Sequence, residues 1–128
     1  MIFLDENIIV PERERLRASR IHCRHVGHDV GRQGMKDINE VIPLLHSFRR
    51  TTFFTRDRDF YDPTLLHTGY CLVYMNTAVD EVADYVRRFL RHAEFRTQSQ
   101  RMSKIVRLHQ SGINYWQIDL KGERFLSW

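Results

Sequence analysis

The chain has 128 residues, 42% hydrophobic and 12% aromatic, which suits one domain with a proper core. No run approaches the roughly 18 apolar residues of a membrane helix. Asp5 and Glu6 interrupt the N-terminal apolar run too early for a secretory signal, so the expectation is a cytoplasmic protein with no membrane partner. The net charge of +4 favours a polyanionic partner, and Cys23 and Cys71 are read as reduced thiols.

In chain order, residues 1 to 5 (Met1-Ile2-Phe3-Leu4-Asp5) read as a short buried strand. Pro11 opens a helix to about Arg20, because proline is welcome in a first helical turn. Residues 26 to 30 read as a turn into a short second strand, and 31 to 36 as a loop. Ile38, Val41, Ile42, Leu45 and Phe48 recur at helical spacing, and Pro43 within them predicts a kinked or late-starting helix. Residues 51 to 55 form a third strand and 61 to 68 a loop or short turn. Residues 70 to 75, apolar throughout, read as a central strand.

The clearest helix is predicted over residues 77 to 95, with a stripe through Val79, Val82, Ala83, Val86, Phe89, Leu90 and Ala93. Residues 105 to 109 and 115 to 119 read as a β-hairpin around a turn at 110 to 114 that contains Gly112. Strand–helix alternation over residues 1 to 95 argues for a parallel sheet with helices on its faces. Residues 96 to 128 then form a hairpin extension packed on the same domain, either an antiparallel edge or a dimerisation element that presents Trp116.

Carboxylates at strand ends carry the functional reading. Asp5 ends the first strand, and Asp57 and Asp59 follow the third. In an open parallel sheet, ligands bind beyond the carboxyl ends of the strands. Acids gathered there repel one another unless a cation or protons sit among them. That predicts a site for Mg²⁺ or Mn²⁺, completed by Asp37 at the start of the helix before the third strand. Asp37 with Glu40 also reads as a capping box, and Asp59 as a turn cap paired with Arg56 and Arg58. Residues 86 to 107 hold seven basic side chains against the single acid Glu94. Arg87, Arg88 and Arg91, with Arg56 and Arg58 beside the acids, are candidate contacts for a nucleic-acid backbone. His22, Cys23, His25 and His28 lack the ligand spacing of a structural zinc site.

The segments Leu4-Asp5-Glu6-Asn7, Gly27-His28-Asp29-Val30 and Thr55-Arg56-Asp57-Arg58-Asp59-Phe60, with Asp37 between them, resemble the compact PIN-like family related to VapC. The resemblance spans about residues 1 to 76. It implies a three-layer α/β/α fold and a Mg²⁺- or Mn²⁺-dependent ribonuclease that cuts RNA and is neutralised by a cognate antitoxin. On that pattern Asp5, Asp37 and Asp57 match the metal-binding acids, and Asp59 is their companion in catalysis. Pro43 and the absence of acids directly after Asp37 depart from the pattern, leaving Asp37 or Glu40 to face the metal. Two other readings compete. A phosphoacceptor receiver needs a lysine at the end of a later strand, and Lys104 precedes its strand. A catalytically degenerate binding module would use the basic stretch and the hairpin instead.

Overall fold

A computed structural model describes residues 1–34 and 38–128. Asp37 therefore lies outside the described residues. The elements run β1 (Ile2–Leu4), α1 (Val10–Ala18), β2 (Arg24–His25), α2 (Ile38–His46), β3 (Thr51–Thr55), β4 (Tyr70–Met75), α3 (Val82–Arg91), α4 (Gln98–Arg101), β5 (Lys104–His109), β6 (Gly112–Gln117) and β7 (Arg124–Ser127). Their strands form one seven-stranded sheet of order β2-β1-β3-β4-β5-β6-β7. The pairs from β2 through β5 are parallel, and β6 and β7 close the far side antiparallel.

Neighbouring residues in the parallel strands enter opposite cores. Phe3, Phe53, Leu72 and Ile105 pack with Val41 and Leu45 of α2. Leu4, Phe54, Val73 and Val106 pack with Leu16 of α1 and with Val82, Val86 and Phe89 of α3. Helices therefore cover both faces of the sheet, and β3 and β4 read as unbroken apolar or β-branched runs for that reason.

Several boundaries differ from expectation. The second strand is Arg24–His25, ahead of the predicted 26 to 30. Gly27, at φ +90°, instead turns the chain so that Val26 and Val30 meet in an isolated bridge. Helix α2 runs through Pro43 and so does not start late; burial of Val41 and Leu45 outweighs the roughly 3 kcal/mol intrinsic cost of an interior proline. Helix α3 is shorter than the predicted 77 to 95, leaving Val79 47% exposed outside it. The polar stretch after it contains α4, capped by a reciprocal Thr97–Gln100 box.

The hairpin turn is Gln110–Ser111 alone, since His109 already pairs with Gly112. Gly112 serves β7 rather than the turn: a Cβ there would lie 2.3 Å from the Leu126 carbonyl oxygen. Strand β7 itself is an element the sequence reading lacks.

The Glu81 side chain makes no capping bond at the start of α3. Glu12 of α1 takes that part from across the core, its Oε1 accepting the Ala83 N–H at 3.0 Å. Glu12→Ala strands that buried donor and should cost about 1–3 kcal/mol. Urea unfolding checks this, and Glu12→Gln, which keeps an acceptor oxygen, should recover most of the loss.

Candidate functional site

The carboxyl ends of β1 and β3 lie side by side, with Leu4 registered against Phe54. The Asp5 N–H continues that ladder by donating to the Phe54 carbonyl at 2.9 Å. Asp5 follows Leu4 directly, and Asp57 lies two residues beyond Thr55, the last residue of β3. Asp5 is 3% exposed. Its Oδ2 accepts the Thr55 hydroxyl at 2.6 Å, and its Oδ1 accepts the Glu6 N–H at 2.7 Å. The Thr55 hydroxyl in turn accepts the Asp57 N–H at 2.9 Å. One hydroxyl thus ties the Asp5 carboxylate to the backbone of Asp57.

Asp57 caps the short 3₁₀ turn Arg58–Phe60, its Oδ1 accepting the Asp59 N–H at 2.9 Å. Asp5 and Asp57 line one cleft of about 230 Å³ together with Asn7, Ile8 and Arg56. Burial pushes the Asp5 carboxyl above its usual pKa. The Thr55 and Glu6 hydrogen bonds pull the other way, while the neighbouring charges of Asp57 and Glu6 push it up further. Arg56 is exposed at the rim, its guanidinium donating to the Thr77 carbonyl at 2.8 and 3.1 Å. Among the described residues, no ion pair neutralises Asp5 or Asp57.

The remaining candidates lie elsewhere. Asp59 and Arg58 line a neighbouring cleft with Tyr61, Tyr74 and Arg107. Glu6 turns away from Asp5, and its Oε1 accepts the Gly34 N–H at 2.9 Å. Arg87 donates to Ser19 and Asp84. The Arg88 guanidinium lies 4.2 Å from the centre of the Trp128 ring, and Arg91 is exposed. None of these three helix arginines lines the cleft. Arg101, part of the basic stretch, is buried and donates to Thr52 Oγ1 and to the Phe95 and Arg96 carbonyls. Lys104 opens β5, and its ammonium donates to the Gln100 carbonyl. It sits at the amino end of the parallel strands, where a receiver's phosphoryl-binding lysine cannot be.

The residue the sequence reading missed is Thr55. Its signal was a hydroxyl two positions before an acid at the end of a strand. Among the described residues no group of three or more His, Cys, Asp or Glu side chains gathers as a metal cluster; Glu40 instead pairs with Arg32. Both cysteines are free thiols, and burial pushes each up to about 12. No helix among the described residues is long and apolar enough to cross a membrane. A scan against protein-family models matched none, and searches of curated proteins and of solved structures found no match either.

Proposed function

We propose that the chain is a metal-dependent endoribonuclease with a PIN-like fold, the toxin of a toxin–antitoxin pair, cutting RNA phosphodiesters by in-line displacement. The observation that carries this reading is the pairing of Asp5 and Asp57 across one small cleft at the carboxyl edge of the sheet.

The donor set suits the ion. Carboxylate oxygens are the hard ligands that Mg²⁺ and Mn²⁺ prefer, and both ions keep open positions for water and phosphate oxygens. A buried carboxyl held above its usual pKa, beside a second acid and with no ion pair to either among the described residues, is a negative site that a divalent cation relieves. Asp5 and Asp57 are the residues that would hold it. Bound there, the ion would supply an acidified water and neutralise charge on the phosphoryl oxygens. The chain's own residues do the rest. Thr55 fixes the rotation of the Asp5 carboxylate, and Ile8 forms part of the cleft wall. Arg56 at the rim of the cleft and Arg58 in the neighbouring cleft, both exposed, would hold the phosphates on either side of the scissile bond.

Calorimetric titration with Mn²⁺ should show binding, and single-stranded RNA should be cut with Mn²⁺ present and left intact with excess chelator. Cleavage that persists in chelator overturns the reading. Absence of Mn²⁺ binding also overturns it, and leaves a catalytically degenerate binding module in its place.

A further inference from the structure

A second concavity, of about 420 Å³, lies against α1 and the edge strand β2. Arg13 and Arg17 reach it from α1, Arg24 from β2, and His22 from the segment between them. The one carboxylate lining it is Asp29, whose Oδ2 accepts the His25 N–H at 2.8 Å. Among the described residues none of the three arginines forms an ion pair.

Arg13 is the best placed of them. Its Nη1 donates to His25 Nδ1 at 3.1 Å, and its Nε is buried with no hydrogen-bond partner among the described residues. A ring that accepts at Nδ1 carries its proton on Nε2, which here donates to the Glu6 carbonyl at 3.0 Å. A ring that accepts at one nitrogen and donates at the other is neutral, so His25 is a neutral prop. A guanidinium positioned by a neutral ring rather than by a carboxylate keeps its full charge for a ligand. Three such cations around one concavity raise one another's energy, and an anion among them reverses that. Leu4 and Ile21 supply an apolar wall, and the volume falls within the range of small-ligand sites.

We infer that this concavity binds a phosphorylated nucleotide unit, with its phosphate on Arg13, Arg17 and Arg24 and its sugar and base against Leu4 and Ile21. Guanidinium forks match the several oxygens of a phosphate dianion. The unit is either a free nucleotide or the phosphorylated end of a nucleic-acid strand; the recognising chemistry is shared. No residue of the Asp5–Asp57 cleft takes part, so the inference stands apart from the nuclease reading.

The test uses the full chain in chelator, where cleavage cannot interfere. It is titrated with adenosine monophosphate, and with a short oligoribonucleotide carrying a terminal phosphate or the matching terminal hydroxyl. The phosphorylated oligomer, the mononucleotide or both should bind, and the terminal phosphate should improve oligomer affinity about tenfold or more if the strand end is the ligand. Binding of the mononucleotide with no such preference assigns the free nucleotide instead. Arg17→Gln with Arg24→Gln, both at exposed positions, should remove whichever signal is found, and Asp5→Asn should leave it intact. The inference fails if the mononucleotide does not bind and the two oligomers bind equally. It also fails if the signal survives in the double variant.

Discussion

Asp5→Asn is expected to lower RNA cleavage by at least about a hundredfold while raising the melting temperature of the metal-free protein at neutral pH. The two effects share one cause. Folding buries the Asp5 carboxyl beside Asp57 and lifts its pKa. Between the ordinary aspartate value and the raised one, the folded chain holds more protons than the unfolded chain. Stability therefore falls as pH rises through that window, and above it the full penalty of the buried charge remains. Asparagine is neutral at every pH and keeps an acceptor for the Glu6 N–H, so the variant escapes the penalty and its stability loses that pH dependence. Added Mn²⁺ should raise the parent's melting temperature and leave the variant's unmoved. Asp57→Asn should lose activity similarly, since an amide oxygen can still accept the Asp59 N–H that closes the turn. Thr55→Val keeps the β-branched shape but removes the hydroxyl that joins the two acids, and should weaken Mn²⁺ binding about 10–100-fold. RNA-cleavage assays, together with melting curves across pH with and without Mn²⁺, check all three. Asp5→Asn protein that cuts RNA like its parent, or that still responds to Mn²⁺, removes Asp5 from the site.

What the sequence made legible follows from where each signal is stored. Strands β3 and β4 announce themselves because both faces are covered, so every position along them is apolar or β-branched. Strand β2 does not, since Arg24 and His25 are polar and their strand conformation comes from lying beside Phe3 and Leu4; the nearby valines mislead because Gly27 bends the chain between them. Strand β7 is equally hidden. Its Phe125 is 54% exposed, and its clearest trace is Gly112, a residue of another strand. The predicted α3 runs past its end at Arg91 because the apolar stripe continues to Ala93; Phe95 is buried from outside the helix, its ring tilted against Phe89 at 4.7 Å. At the site, strand-end acids could be read from local pattern. The Thr55 hydroxyl left only the weak trace of a threonine two positions before an acid, because its value depends on Asp5 arriving from fifty residues away. Charge counts misled in the same way: Arg101 counts as surface charge in sequence, yet it serves as a buried donor set.

Phe54→Ala should be the most damaging single truncation in the α3-side core. Phe54 is fully buried in β3, with its ring edge-on to Phe89 at 5.8 Å. Phe89 lies tilted against Phe95, and Phe95 meets Tyr115 of β6 edge-on at 5.5 Å. Removing the ring opens a cavity at one end of this aromatic series, where the surrounding strands and α3 are fixed by their own hydrogen bonds and relax little. The expected loss is about 3–5 kcal/mol, against a total near 5–15 kcal/mol for a domain of ordinary size. Phe53→Ala should cost a similar amount through the opposite core, where Phe53 meets Phe60 at 5.1 Å. The pair distinguishes the layers. Because Phe60 closes the turn capped by Asp57, Phe53→Ala should also loosen the Asp5–Asp57 cleft proposed to hold the metal, whereas Phe54→Ala acts through α3 and the hairpin. Urea unfolding gives the two losses, and Mn²⁺ calorimetry in native buffer separates their effects on the cleft. A loss below about 1.5 kcal/mol for Phe54→Ala, the range of a well-tolerated core swap, would mean that α3 does not seal this face of the sheet.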